Sequence, residues 1–402
     1  MRVLLFLLYS LFAFPLFAQR RSTHHNIANQ ASYITSFPFK LLSGGIILVK
    51  GKIDNYPDTL NFVMDTGCSS ASLDSTTCVR LKIPFISSNS YIRGVGSFKK
   101  TVVTNIKTLE FPHLEFKYPE FHIDDYELLS EVYGVKIDGI IGYNFFKRFI
   151  VQFNFDSLKV FVFKPGEFVY EKPGEILYPF MGNRIPTISA SVKNGVKVND
   201  NYYFDMGAGL CLLFSNQFVK DSSIFRKTQR RRKTVATVAQ GLGGEINMNL
   251  TTIQEIKVGS YSFRNVPTYT FDDVSNVTNY PVLGGIMGND LLRRFNITLN
   301  YPAGKIYIHP NSHFKDLFDY SYTGLTLYFM DRRVNVGNVA KDSPSAKAGI
   351  LPGDVIIAVN NNFSNNIQTY TELLKKAGTK ATITLTRNGL LMKKTLYIKS
   401  IL

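Results

Sequence analysis

The chain has 402 residues, 45% of them hydrophobic and 19% charged, with a formal net charge of +16. That length exceeds one ordinary core and predicts two or three domains, and the composition excludes a disordered chain. Three cysteines and six scattered histidines offer no zinc-type spacing, so no metal and no other cofactor is expected.

At the N-terminus, Arg2 precedes an apolar run from Val3 to Phe14 that is short for a bilayer span. Ala18 followed by Gln19 offers a cleavage point, so residues 1–18 read as an export signal. The expected location is therefore periplasmic or secreted, with no stable membrane span after cleavage. Cys68 and Cys78 are near enough in sequence to pair in such a compartment, and an odd count leaves at least one thiol free.

Past residue 30, short runs rich in aromatic and β-branched residues predict strands. Three blocks then recur in order. Asp65-Thr66-Gly67 returns as Asp205-Met206-Gly207, 140 residues on. Gly94-Val95-Gly96 returns as Gly241-Leu242-Gly243, 147 residues on. Residues 138–163 return as 284–309, with Gly139, Gly142, Arg148 and Phe149 matched by Gly285, Gly288, Arg294 and Phe295 at a constant offset of 146. Two similar β-lobes joined head to tail are predicted, over 31–165 and 166–310. Short helices are expected after Gly142 and Gly288. The offset grows by seven between the first two blocks, and the basic cluster Arg226, Lys227, Arg230, Arg231, Arg232 and Lys233 lies in that interval. It reads as a surface-loop insertion, and no nucleic-acid partner is expected.

Each repeat sets an Asp directly after an apolar strand, at Asn61–Asp65 and Tyr202–Asp205, and follows it by Gly at the second position. Glycine lacks a Cβ, so two such turns can approach closely. A pseudo-twofold relation between the lobes would bring Asp65 and Asp205 together. Two carboxyls in contact share one proton, so one can take a proton from water while the other donates to a carbonyl oxygen.

Asp-Thr-Gly, a later glycine-rich segment, and the apolar-apolar-Gly motifs Ile140-Ile141-Gly142 and Ile286-Met287-Gly288 together resemble the pepsin-like and retropepsin-like aspartic peptidases. The resemblance spans roughly residues 35–310. It implies an aspartic endopeptidase acting on proteins or peptides, with Asp65 and Asp205 as catalytic dyad and Thr66, Gly67, Met206 and Gly207 as active-site loops. It also implies flap hairpins at Gly94, Gly96, Gly241 and Gly243. Met206 departs from the pattern, because the family has Thr or Ser there, whose hydroxyl ties one lobe to the other. Thr66 can make that tie and Met206 cannot answer it. Two outcomes stay open: an active peptidase, or a catalytically degenerate fold that binds peptides. A serine or metallopeptidase is disfavoured by the absence of G-x-S-x-G and H-E-x-x-H.

Pro310–Tyr320 reads as a linker. Beyond it, Ser343–Asn360 (S-P-S-A-K-A-G-I-L-P-G-D-V-I-I-A-V-N) resembles the PDZ domains of bacterial exported peptidases. A small α+β domain over 320–402 is expected, with a helix at Thr369–Ala377 and strands at Val334–Val336 and Ala381–Arg387. The resemblance implies capture of a peptide, often a free C-terminus, at Gly324, Leu325, Thr326 and Leu327. The whole chain is then all-β in its two lobes, with a small α+β module appended.

Overall fold

The computed structural model describes residues 29–402 apart from 55, 95–96, 105, 118–120, 183, 226–232 and 242–243. The expected export signal, Gly96, Gly243 and all of the basic cluster except Lys233 lie outside the described residues. Among those described, strands fall into one sheet of 15, one of seven and one of five. None of the helices is long and apolar enough to cross a membrane.

The strands form where the sequence alternates. In Ser32–Leu41 the side chains of Phe37 and Phe39 turn inward, while their neighbours face water. The largest sheet runs from lobe one through Ile150–Asn154 into Phe295–Asn300 of lobe two. Those two strands are antiparallel, and Gln152 lies opposite Thr298. The difference, 298 minus 152, is the repeat offset of 146. Equivalent residues therefore face each other, which locates the local twofold axis between the lobes at this pair.

Each lobe repeats one strand crossing. Leu60–Met64 runs parallel to Gly139–Ile141, which runs antiparallel to Ala71–Asp74. In lobe two, Val196–Asp205 runs parallel to Gly285–Gly288, which runs antiparallel to Leu212–Ser215. Short helices follow the glycines, at Tyr143–Phe146 and Asn289–Leu292. The two lobes share one apolar core, whose members include Phe62, Met64, Phe153, Phe204, Met206 and Ile297.

The C-terminal sheet has its own core, with Leu325, Val336, Ile356, Tyr370 and Leu385 among its members. Its strands run in chain order from Leu325–Met330 at one edge to Leu390–Tyr397 at the other. The helix expected at Thr369 begins earlier, at Ile367–Leu373, because Asn366 caps it by accepting from Thr369 N at 3.1 Å. A last strand went unread in the sequence, although Asn388-Gly389 before it takes positive φ at both positions (50° and 77°), as a tight hairpin turn demands.

The expected linker packs against lobe two. Phe314 sits against Phe263 and Phe295. Arg294, 1% exposed, donates to Asp316 O at 2.5 Å and Leu317 O at 3.1 Å, and its guanidinium stands 4.1 Å from the Phe318 ring centre. Its repeat partner Arg148 lies over Phe116, so the duplicated arginine has taken two different uses.

Candidate active site

Asp65 and Asp205 lie side by side where the two strand crossings meet. The arrangement is nearly symmetric: Gly67 N donates to Asp65 Oδ1 at 2.6 Å, and Gly207 N donates to Asp205 Oδ1 at 2.8 Å. Ala208 N adds a bond to Asp205 Oδ1 at 3.1 Å. Each glycine also packs against the opposite carboxyl. A Cβ on Gly67 would stand 2.5 Å from Asp205 Cγ, and one on Gly207 would stand 2.1 Å from Asp65 Cγ. Any other residue at either position would drive the carboxyls apart.

Burial pushes the Asp65 carboxyl well above the ordinary carboxylate range, and the Asp205 charge pushes it further the same way. Burial also raises Asp205, against the lowering effect of the Gly207 and Ala208 amides. The physical result is a pair that retains a proton well above the pH at which a free carboxyl loses it.

The loops are tied across the lobe interface by one hydroxyl. Thr66 Oγ1 donates to Phe204 O at 2.7 Å and accepts from Met206 N at 2.8 Å. Met206 is fully buried in the shared apolar core and returns no such bond. No disulfide stiffens the region, because Cys68, Cys78 and Cys211 are all free thiols. Cys68 Sγ instead donates to Ser70 O at 3.0 Å, and burial pushes its pKa up to about 12.

A cavity of about 300 Å³ stands over the carboxyls, lined largely by apolar side chains such as Val63, Ile140, Leu213 and Ile286. Two antiparallel strand pairs lie where the flaps are expected. Phe85–Gly94 pairs with Ser97–Thr104, and Val235–Gly241 pairs with Gly244–Val258, with Gly94–Ser97 and Gly241–Gly244 as the last described pairs. Ile246 and Met248 of the second strand pair reach the cavity wall.

One wall was not foreseen. The helix Glu127–Tyr133 contributes Leu128, Leu129 and Tyr133 to the cavity, while Tyr126 before it bonds Ser72 through its hydroxyl at 2.6 Å. Gly134 ends the helix with φ of 63°. Its only sequence signal was the apolar spacing Leu128, Leu129, Val132, Tyr133, spread over two turns.

Of the expected peptide-binding residues, Gly324 (φ 80°) immediately precedes the edge strand that holds Leu325, Thr326 and Leu327. This domain is joined to the lobes at the turn Ser43–Gly45. Ser43 N and Oγ donate to Gln368 Oε1 at 2.9 and 3.0 Å, and Gly44 N donates to Asp319 Oδ2 at 2.7 Å. Lys375 Nζ closes the group, 2.6 Å from Asp319 Oδ1. Gly45 O accepts from Asn289 Nδ2, so the same turn touches both lobes and the C-terminal domain. No group of metal-ligating side chains occurs among the described residues.

Comparison with known families agrees with this geometry. Residues 49–145 match the aspartyl protease family, and residues 336–387 match the PDZ domain family. No curated protein matches the chain. The protein thus carries an aspartyl protease domain and, at its C-terminal end, a PDZ domain. That is a protease-type architecture. The first match contains Asp65 and Gly142 but ends before Asp205, so the second carboxyl is assigned by the internal repeat and by its position against Gly67.

Proposed function

We propose that the protein is an aspartic-type endopeptidase in which Asp65 and Asp205 activate one water between them. The observation that carries this reading is the mutual packing of each carboxyl on the opposite loop's glycine, which leaves room for one proton on the pair. The ionised carboxyl accepts a proton from water as its oxygen bonds to the scissile carbonyl carbon. The protonated carboxyl gives its proton to the carbonyl oxygen, forming a neutral tetrahedral diol. Collapse of that diol returns one hydroxyl proton to a carboxyl. The leaving nitrogen takes the other carboxyl's proton, the C–N bond breaks, and the dyad again holds one proton. The apolar cavity favours hydrophobic residues beside the cut. The PDZ domain holds a peptide end, and the protein acts outside the cytoplasm after loss of residues 1–18.

Met206 favours a second reading, a fold that binds peptides without cutting them, because the reciprocal cross-lobe hydroxyl is missing. Incubating a peptide library with the protein between pH 3 and 7, with and without pepstatin, separates the two. Pepstatin-sensitive cleavage that Asp65→Asn abolishes supports the peptidase; binding without cleavage at any pH supports the second reading.

A further inference from the structure

The dyad cavity is not the only one of its size. A second cavity, of about 320 Å³, lies between the edge strand Leu325–Met330 and the helix Ile367–Leu373 of the C-terminal domain. Leu129, Tyr133, Gly209 and Leu210 line both cavities. Gly209 belongs to the turn that follows Asp205. A Cβ on it would stand 3.2 Å from the Tyr133 hydroxyl, so the partition between the spaces is narrow.

We propose that the two cavities form one substrate channel, in which the PDZ groove receives the free C-terminus of the chain being cut. The peptidase then removes a short C-terminal segment of fixed length. This rests on the endopeptidase reading above and adds the substrate class and the direction of binding.

The carboxylate end of the groove follows from the backbone. Gly324 O accepts from Ala340 N at 2.7 Å, extending the pairing of the edge strand with Arg333–Val339. In a trans peptide the N–H points opposite to the C=O. The Leu325 amide therefore points to the other side, which is the unpaired edge of the sheet. An extended peptide that adds to this edge ends its carboxylate there. Leu325, Leu327, Val132 and Leu374 line the adjoining space, so the last residue bound should be apolar.

The opposite end of the groove is closed. Gly134 packs on Phe329 and Ile367, where an added Cβ would lie 2.3 Å from Ile367 Cγ2. Gln368 Nε2 donates to Tyr133 O at 3.0 Å and locks the helix Glu127–Tyr133 to this domain. Phe329 is four residues past Leu325. At about 3.3 Å per residue, only about four ligand residues fit before the chain meets that helix. The way onward lies past Leu129 and Tyr133, towards Asp65 and Asp205.

The test uses the full chain and a dye-labelled peptide ending in an apolar residue, made as the free acid, as the C-terminal amide, and as the acid with six residues added at its N-terminus. Mass spectrometry should find the same C-terminal fragment from both acids, and the amide should lower kcat/KM by about tenfold or more, since charge-assisted hydrogen bonds are lost. Thr371→Trp, which fills the groove at a lining residue away from the dyad, should remove the acid–amide difference by slowing cleavage of the acid to the rate of the amide. Equal rates and identical internal cut sites in acid and amide would overturn the proposal, whatever the variant does. If the parent cuts none of the peptides, the endopeptidase reading fails by itself and binding decides the channel. A free acid bound about tenfold more tightly than the amide, and weakened by both Thr371→Trp and the cleft variant Leu128→Arg, supports one channel. Weakening by Thr371→Trp alone refutes it.

Discussion

The Thr66 hydroxyl that ties the two Asp loops across the lobe interface can be removed without changing the shape of its side chain. Thr66→Val keeps the β-branched volume at a position 1% exposed and deletes only Oγ1. Two partners in the opposite lobe then lose their bond: Phe204 O, at 2.7 Å, and Met206 N, at 2.8 Å. Leaving a buried polar group unpaired costs about 1–3 kcal/mol, so the pair predicts a loss of about 2–6 kcal/mol. The reciprocal tie is absent because Met206 has no hydroxyl, so no second bond of this kind cushions the change. Urea unfolding should show a lowered midpoint with unchanged slope. Thr66→Ser retains the hydroxyl and should stay within about 1 kcal/mol of the parent. In cleavage assays Thr66→Val should lower kcat more than it raises KM, because it disturbs carboxyl geometry and not the cavity wall. A Thr66→Val protein within about 0.5 kcal/mol of the parent would refute the reasoning, since the deleted bonds would then carry no cross-lobe stability.

Asp65→Asn and Asp205→Asn should each abolish hydrolysis, because neither variant can share the proton. Their stability should carry a sign as well. Burial and the neighbouring carboxyl raise the Asp65 pKa in the folded state, so the fold favours the protonated form. That contribution is fully present below the unfolded value of about 3.9 and is lost as pH rises towards the folded one. Asp65→Asn, always neutral, should therefore exceed the parent in Tm at pH 7 and lose that advantage near pH 3; calorimetry showing the reverse trend would contradict the burial account. Met206→Thr should lower Tm, because truncating a fully buried Met costs a few kcal/mol against about 1 kcal/mol from a new hydrogen bond. Activity per folded molecule should hold or rise by up to about tenfold, read from active-site-titrated protein. Arg294→Met removes the donors to Asp316 O and Leu317 O, so limited proteolysis should cut within residues 311–319 well before it cuts the parent.

The meeting of Asp65 and Asp205 was legible in the linear chain because duplication writes its own geometry. Two copies of a β unit that pair their equivalent strands must face each other about a twofold. Gln152 and Thr298, 146 residues apart, do so. Asp65 and Asp205 follow from the same relation, and so does the missing hydroxyl at Met206. The wall helix Glu127–Tyr133 was not legible, since seven residues are too few for a clear periodic signal. Its trace was a change of offset. Asp124 and Asp272 differ by 148 but Gly139 and Gly285 by 146, so lobe one has two extra residues in between. Lobe two carries Pro281 in that interval and turns there instead of forming a helix.

Local spacing thus determined the lobes, the paired carboxyls and the PDZ module, because strand alternation, turn residues and repeat offsets act over a few residues at a time. Only the tertiary structure decided where that module docks. The contacts that seat it join Ser43 to Gln368 and Gly44 to Asp319, 325 and 275 residues apart, through polar side chains with no pattern in the sequence. Such bonds form only after the separate cores have brought those surfaces together. For that reason the chain names the two modules, while packing alone makes their cavities neighbours.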